Sequence, residues 1–268
     1  MRVLSVLPAP SHIVSDAHLG AAPERAESEL LALLAHVRTA GGSLVVNGDL
    51  FDFWFEWKSV IPRRAFRILA ALRALTDRGI PVVWTAGNHD CWGGEILRND
   101  VGVWYQLDAW EGEIAGWRSR VEHGDGLREE EDRTYRRMRP IMRNRLAIRA
   151  FRALHPDLAT RIATSTSGAS RHSGTPDEGE ALRAVAFAAL SQRLDLQLLV
   201  YGHSHIGVVE RGPHGVYANA GGWMERPTYL VVTPERISLR EWNGSADGTE
   251  LDAVDRGSEK PRSDAQEI

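Results

Sequence analysis

Short apolar runs alternate with amphipathic stretches through the first ninety residues of the chain. Residues 10–16, 43–49 and 80–90 each contain a run of Val, Ile or Leu that is typical of a buried strand. Residues 23–40 and 62–79 carry apolar side chains at helical spacing, and a glycine stops each of these stretches. This alternation of strands and helices predicts βαβ units and therefore a parallel sheet.

The second half of the chain has a different pattern. Residues 118–125 and 196–205 predict two more strands, both of which end in polar motifs. Three short strands separated by turn residues follow, which favours antiparallel pairing: 216–223, 228–233 and 236–242. Residues 128–190 have a helical pattern, so we interpret them as a cap inserted into one domain over residues 1–243. The polar residues 244–268 predict a disordered tail.

The composition of the chain excludes several classes of protein. No apolar run among the 268 residues reaches the length of a membrane-spanning helix, and the single cysteine, Cys91, excludes a disulfide framework or a thiolate zinc cluster. The formal net charge of −4 gives no global basic signature, so no nucleic-acid partner is expected. The first residues lack the apolar core of a secretory signal, which predicts a cytoplasmic protein.

Candidate chemistry is concentrated where the predicted strands end. Because the carboxyl ends of strands in an α/β sheet converge on one edge, we expect these polar groups to lie together. The clusters are Asp16-Ala17-His18, Gly48-Asp49-Leu50-Phe51-Asp52, Gly87-Asn88-His89-Asp90, His123-Gly124-Asp125 and Gly202-His203-Ser204-His205. In an extended segment residues i and i+2 point the same way, which would give the D-x-H and H-x-H pairs a shared direction.

Carboxylates, imidazoles and one amide oxygen suit divalent metals such as Mn, Fe or Zn. The absence of a thiolate argues against a structural zinc site. The set is larger than one tetrahedral ion requires, and it would serve two ions if one carboxylate bridged them. Two such ions can activate water and clamp a phosphoryl group for in-line attack.

The ordered set D-x-H, G-D-x-x-D, G-N-H-D, H-G-D and G-H-x-H resembles the calcineurin-like metallophosphoesterase superfamily over residues 10–242. The resemblance implies a four-layer α/β/β/α sandwich and a dinuclear metal site. One implied metal is held by Asp16, His18, Asp49 and His205. The other is held by Asp49, Asn88, His123 and His203, with Asp49 bridging the two ions.

The stretches GDLFDFWFEWK, GNHDCW and HGDGL, followed by a helical cap, are similar to UDP-2,3-diacylglucosamine pyrophosphohydrolases of lipid A biosynthesis. This resemblance implies cleavage of the substrate pyrophosphate to UMP and 2,3-diacylglucosamine 1-phosphate. Manganese is the implied metal, and the ligand types also suit Fe, Zn or Co. Many members of that family have Arg in place of His89, where this chain has the His of the wider superfamily.

Site residues follow from the same resemblance. His89 is the catalytic candidate, which would stabilise charge on the transferring phosphate or protonate the leaving oxygen. Residues implied to contact the substrate are Asn88, His89, Asp132, Tyr135, Ser170, Arg171 and His203. Asp52, Asp90 and Asp125 are expected to orient metal-bound histidines or to form turns. Cys91 is expected to be a small buried apolar residue.

The cap is rich in arginine. Nine Arg and one acidic residue, Asp157, lie between residues 133 and 163, interleaved with apolar side chains. Such a helix could be a solvated face, but the charge imbalance favours contact with phosphates or with the cytoplasmic face of an anionic inner membrane. The aromatic residues near the second strand could be core packing or an apolar rim for acyl chains: Phe51, Phe53, Trp54, Phe55 and Trp57.

Three classes of function are compatible with these observations. The first is the pyrophosphohydrolase of a lipid-linked sugar nucleotide. The second is another hydrolase of the same fold, a phosphodiesterase or a nucleotide pyrophosphatase, which would need a polar rather than an apolar groove beside the metals. The third is a non-catalytic scaffold of this fold, and the intact ligand set argues against it.

Overall fold

Two β-sheets lie against each other in the computed structural model, which describes residues 4–171, 179–245 and 247–257 and only the backbone of 166–171. The strands are β1 Val6–Leu7, β2 Ser11–Val14, β3 Ser43–Asn47, β4 Val82–Thr85, β5 Trp104–Gln106, β6 Trp110–Ile114, β7 Trp117–Val121, β8 Leu198–Tyr201, β9 Val208–Gly212, β10 Gly215–Asn219, β11 Thr228–Val232, β12 Arg236–Glu241 and β13 Thr249–Asp255.

Each sheet combines parallel and antiparallel strands. The first has the order β13-β12-β11-β2-β3-β4-β5, in which β2 to β5 are parallel and the C-terminal strands are antiparallel. The second has the order β1-β6-β7-β8-β10-β9, with β7, β8 and β10 parallel. The parallel pairing predicted for the first three strands and the antiparallel pairing of the last strands are therefore both present.

The helices fall into two groups. Three pack on the sheets: α1 Glu24–Ala40, α2 Phe66–Thr76 and α6 Glu180–Gln192. The others form the cap: α3 Arg133–Met142, α4 Arg145–Arg152 and α5 Pro156–Arg171. A 3-10 turn, Arg63–Ala65, precedes α2, and a π-helical segment, Ile96–Val101, follows the third predicted strand. None of the described helices combines the length and apolar composition needed to cross a bilayer.

Three central strands of the first sheet, β2, β3 and β4, are buried on both faces. In β3, Leu44 and Val46 point to α1 and α2, while Val45 points to the second sheet. A strand covered on both sides needs apolar residues at consecutive positions, which explains the uninterrupted run SLVV. With α6 on the outer face of the second sheet, the layers are α/β/β/α, and the predicted fold is confirmed.

The predicted limit of the cap is wrong at its C-terminal end. Leu182, Ala186 and Leu190 recur every four residues on α6, and all are fully buried against the second sheet. The helix is therefore an outer layer of the sandwich rather than part of the cap. The helical periodicity of the sequence predicts this helix, but it does not show whether the apolar face packs against the sheet or within the cap.

The prediction of a disordered tail from residue 244 is also wrong. Strand β13 pairs with β12 from Thr249 to Asp255 and extends the first sheet by one strand. Most of its side chains are exposed because it lies at the sheet edge, so its composition resembles that of a tail. Residues 258–268 lie outside the described part of the chain.

The cap is attached to the core by an aromatic cluster. Phe53, Phe55 and Trp57 pack against Phe151 of α4 and Ala159 of α5. The ring centroids of Phe55 and Phe151 are 5.0 Å apart, within the range of favourable aromatic pairs. Of the aromatic residues considered as core or rim, Phe51 and Trp54 belong to the core under the first sheet, and the other three form this junction.

Candidate metal centre

Loops from both sheets meet at one place. The loops after β2, β3 and β4 come from the first sheet, and those after β7 and β8 come from the second. The two sets are joined directly, because the backbone N–H of His203 donates to both carboxylate oxygens of Asp16 at 3.1 and 3.0 Å. The single edge of one sheet expected from the sequence is therefore a junction between two sheets.

Six of the seven predicted ligands form two groups. In each, one nitrogen or oxygen atom per residue lies within 4.8 Å of the others: Asp16, His18 and His205 in one, and Asp49, His123 and His203 in the other. By the same distance, His89 forms a further group with His18 and Asp49. In the first group His205 Nε2 is 3.3 Å from Asp16 Oδ1 and 3.1 Å from His18 Nε2. In the second His123 Nε2 is 3.2 Å from Asp49 Oδ2.

Asp49 lies between the two groups. Its Oδ2 atom is 3.8 Å from His18 Nε2, which belongs to the first group, and 3.2 Å from His123 Nε2 in its own group. Its other oxygen, Oδ1, accepts a hydrogen bond from the backbone N–H of His89 at 2.9 Å. The carboxylate is thus held by the backbone at one oxygen and faces both sets of imidazoles with the other.

The donors fit divalent metal ions. Among the described residues, the buried Asn88 Oδ1 and His123 Nε2 form no hydrogen bond. His123 donates its Nδ1–H to the carbonyl of Asn47 at 2.9 Å, which leaves the lone pair of Nε2 facing the site. Buried polar atoms without partners cost about 1–3 kcal/mol each, and a bound cation would satisfy both.

The charges at the site favour cation binding. Burial acts to raise the pKa of Asp16, but the imidazoles of His123 and His205 outweigh it and hold the pKa at about 2. Burial likewise opposes ionisation of Asp49, whose pKa the imidazoles of His123 and His89 hold well below its usual value. Burial lowers the pKa of His18 to about 4, so that ring is a neutral ligand at pH 7.

Five of the predicted ligands have backbone conformations that side chains rarely adopt. The φ angles are 50° at Asp16, 43° at His18, 52° at Asp49, 65° at His203 and 60° at His205. The expectation that D-x-H and H-x-H lie in extended segments is therefore wrong, because the strands end before these pairs begin. Left-handed residues cost of order 1–3 kcal/mol each and persist only where surrounding contacts impose them.

The glycines of the motifs allow the loops to approach closely. A Cβ atom on Gly87 would lie 2.1 Å from Asp49 Oδ1, and one on Gly202 would lie 2.7 Å from Asp16 Oδ2. Any larger residue would displace a carboxylate of the site. The Gly of G-N-H-D and the Gly of G-H-x-H are therefore explained by close approach.

His89 lies beside Asp49 and is partly accessible. Its Nδ1–H donates to the carbonyl of Asp52 at 2.8 Å, and Nε2 is 3.9 Å from Asp49 Oδ2. The side chain is 10 % exposed, whereas Asp49 is almost fully buried. Its hydrogen bond fixes the ring with Nε2 toward the opening, where it can contact a substrate.

The three acidic residues expected to orient histidines have other contacts. The Asp52 carboxylate is 3.8–3.9 Å from the rings of His89 and His18, so it is the carbonyl of Asp52 that holds His89. Asp90 accepts N–H groups of Gly87, Leu50 and Trp84, tying together the loops after β3 and β4. Burial and the neighbouring Asp49 raise the Asp90 pKa to about 7. Asp125 hydrogen-bonds Tyr135.

The predicted substrate contacts are placed unevenly. Asp132, at the start of α3, is buried and lies 2.9 Å from His203 Nε2, and Tyr135 is one turn further along. Ser170 and Arg171 are in the last turn of α5, where the side chains lie outside the described part. Burial raises the pKa of the Cys91 thiol, so it stays protonated, as suits a small buried residue.

Sequence reasoning missed Arg128. Its guanidinium holds Asp132 Oδ1 through Nη2 at 2.8 Å and Nε at 3.2 Å. The i, i+4 spacing of the two residues was the available signal, but it was hidden among the many charges of the segment REEEDR.

Comparison with known proteins gives one family. The model of the calcineurin-like phosphoesterases matches residues 10–207, which span every predicted metal ligand. The matched segment includes the cap, four of the seven strands of the first sheet and three of the six strands of the second.

Curated relatives agree with one another in name. A UDP-2,3-diacylglucosamine hydrolase of Porphyromonas gingivalis is 35% identical over 167 residues, 61% of this chain and 64% of the relative's length. Enzymes of the same name from Pectobacterium carotovorum and Neisseria meningitidis serogroup B are 27% and 28% identical. Their alignments cover 84% and 73% of this chain, and 96% and 82% of the relatives.

Proposed function

The chain belongs to the calcineurin-like phosphoesterase family, and from this premise we propose that it hydrolyses the pyrophosphate of UDP-2,3-diacylglucosamine. As a family member it is a metal-dependent hydrolase with a divalent dimetal centre. The products are UMP and 2,3-diacylglucosamine 1-phosphate, which places the enzyme in lipid A biosynthesis. The observation that carries the proposal is the pair of Asp/His groups with Asp49 between them, in a chain similar to hydrolases of this name.

We assign the metal ligands as the sequence predicts them. Asp16, His18 and His205 hold one ion, and Asn88, His123 and His203 hold the other, with Asp49 between them. When bound, two such ions lower the pKa of bound water and offset negative charge on the phosphoryl oxygens. Manganese is the proposed metal, because oxygen and imidazole donors without thiolate suit it.

His89 is the proposed proton donor of the reaction. With Nδ1–H held by the carbonyl of Asp52, Nε2 is the atom free to meet a phosphoryl or leaving-group oxygen. When protonated, it donates to that oxygen and stabilises the charge that develops on it. Asn88 and Tyr135 complete the proposed contacts to the substrate.

The cap provides the apolar and cationic surface that a diacylated sugar nucleotide requires. Helices α3 and α4 bury none of their residues, so their arginines and apolar side chains are available to a ligand. The aromatic cluster of Phe53, Phe55, Trp57 and Phe151 lies at the base of the cap and holds the cap beside the metal centre.

The same surface supports contact with an anionic membrane. Five large apolar side chains of the cap are between 44% and 71% exposed: Met138, Ile141, Leu146, Leu158 and Ile162. Arginines surround them, the combination found in helices that lie at a bilayer surface. We expect flotation with vesicles of anionic lipid at low salt and release at high salt, because screening weakens exposed charge interactions.

A matched pair of variants tests this contact. The double variant Arg145→Glu/Arg149→Glu reverses charge on α4, and Arg73→Glu/Arg78→Glu makes the same change on and just after α2. We expect the first pair to abolish flotation and the second to leave it unchanged. No flotation of the wild-type protein at low salt would refute the membrane contact while leaving the hydrolase intact.

The substrate is tested by UMP release from UDP-2,3-diacylglucosamine with and without Mn²⁺, beside an aryl phosphodiester. We expect fast, Mn²⁺-dependent cleavage of the lipid and slow cleavage of the aryl ester. Cleavage of the aryl ester alone would retain the dimetal hydrolase and discard the lipid, which makes the nucleotide pyrophosphatase the next candidate. If the protein bound metal but hydrolysed neither the lipid nor the aryl ester, only the hypothesis of a non-catalytic scaffold would remain.

A further inference from the structure

The carboxylate of Asp132 is occupied at both oxygens. Oδ2 accepts the backbone N–H groups of Gly126 and Arg128 at 3.0 and 3.1 Å. Oδ1 accepts the Arg128 guanidinium at 2.8 and 3.2 Å, and the Nε2–H of His203 at 2.9 Å. The side chain is 3 % exposed.

Such a carboxylate has little left to offer a substrate. An ionised carboxylate has about four lone-pair sites, and here five N–H groups already point at them. A hydroxyl or amine of a sugar would have to displace one of these donors. The contact that points toward the metal centre is the one to His203, so the effect of Asp132 passes through that ring.

The hydrogen bond to Asp132 determines which nitrogen of His203 can coordinate. Because Nε2 carries the proton donated to Asp132, the lone pair is on Nδ1. The backbone of His203 is held at a φ of 65°, and its N–H is bonded to Asp16. Backbone and ring are therefore both fixed, and the ring lies 5.3 Å from that of His123, centroid to centroid.

We propose that Asp132 is a positioning residue of the metal centre, and not a substrate contact, and that Arg128 holds it in place. Carboxylates that accept a proton from a metal-bound histidine fix its tautomer and raise its basicity. This inference rests on the proposed assignment of His203 as a ligand. It also joins the cap to the metal centre, because Asp132 immediately precedes α3.

Cobalt binding tests the inference without any substrate. The metal-free protein is titrated with Co²⁺ and followed by visible absorption, which reports the geometry around the ion. We expect Asp132→Asn and Arg128→Met to weaken the second Co²⁺ by about 10–100-fold, the range for loss of such a partner. Arg128→Lys keeps the charge but not the two-pronged contact, so it should recover part of the affinity. Arg133→Met, an exposed arginine beside Asp132, should bind like the wild type.

Kinetics at saturating metal separates positioning from substrate contact. Positioning lowers kcat and leaves KM within about twofold, whereas loss of a substrate contact raises KM. An unchanged Co²⁺ affinity and spectrum in Asp132→Asn, whether or not its KM rises, would overturn the inference. Each variant is first checked for a wild-type circular dichroism spectrum, and Arg128→Lys replaces Arg128→Met if the latter does not fold. If the lipid is not the substrate, the Co²⁺ result stands, and an aryl phosphodiester supplies the kinetics.

Discussion

The metal centre and the cap are constructed in contrasting ways. At the metal centre, backbone strain at five residues is held by hydrogen bonds between loops from two sheets, and four of the seven proposed ligands are buried: Asp16, His18, Asp49 and His123. In the cap, α3 and α4 bury no residue, and attachment depends on the aromatic cluster and the contact between Asp132 and His203. The difference teaches that the proposed metal centre is firmly held, whereas the cap that we propose to select the substrate is weakly anchored.

The largest expected effect lies in the rigid half. Asp49→Ala removes the carboxylate that lies between the two Asp/His groups, so it should reduce turnover by well over the ~100-fold seen for an outer partner. UMP release and metal content by mass spectrometry measure the loss. Asp157→Ala, which removes an exposed carboxylate of the cap, is the control. Wild-type turnover in Asp49→Ala would refute the proposed centre.

Changing His89 separates catalysis from metal binding within the same half. His89→Ala should retain both metals and lose about 10²–10⁴-fold in kcat, the range for a general acid. Metal content and kcat are measured on the same preparation. His89→Gln, which keeps a polar side chain, should recover little because it cannot transfer a proton. Loss of metal in the Ala variant would make His89 a ligand instead.

Weakening the aromatic junction should affect the cap alone. Phe151→Ala removes a half-buried ring that contacts Phe53, Phe55 and Trp92, so the cost should lie below about 3 kcal/mol, the lower limit for a fully buried phenylalanine. We expect KM for the lipid to rise and kcat for an aryl phosphodiester to stay. Hydrogen exchange should increase in α3 to α5 and not in the sheets. Leu158→Ala, half-exposed in the same cap, is the matched control.

The smallest effect is a pH dependence of stability at His12. Burial, His36 and Arg240 lower its pKa to about 4, so between pH 6.5 and 4 the unfolded chain binds the proton that the folded chain excludes. The free energy of unfolding therefore decreases as the pH is lowered through this window, by about 2 kcal/mol from pH 7 to pH 5 for this one group. Urea unfolding of wild type and His12→Gln at both pH values gives the difference. Equal losses in the two proteins would contradict it.

Much of the fold could be predicted because strands that are buried on both faces consist of uninterrupted apolar runs, which are easy to recognise in the sequence. Residues 10–16, 43–49 and 80–90 contain β2, β3 and β4, and residues 23–40 contain α1. Strands β5 and β6 were missed because β5 is short and β6 alternates charged residues with its buried ends. Such strands depend on pairing with distant neighbours, which local pattern does not reveal.

The site divides in the same way. The residue types and their order were sufficient to gather Asp16, His18, Asp49, His123 and His203 into one place. The left-handed backbone of Asp16, His18, Asp49, His203 and His205 was not predictable, because contacts in the folded loops impose it at these positions, even though Asp and His adopt it more often than most residues. The role of Arg128 was equally hidden, because only the folded chain shows which of its charged neighbours it holds.

The acidic strand β13 lies at the edge of the first sheet, and this position affects whether the folded protein aggregates. One side of β13 has no strand partner in its sheet, and such an edge can recruit another strand, the first step of aggregation. Charged side chains along the strand disfavour that pairing: Glu250 and Asp255 form ion pairs with Arg236 and Arg240 of β12, and the Asp255 carbonyl accepts from Arg211. The charged residues that led to the prediction of a disordered tail thus protect the sheet edge from pairing with another molecule. Removing residues after 248 would expose β12, whose apolar Ile237 and Leu239 have no such protection.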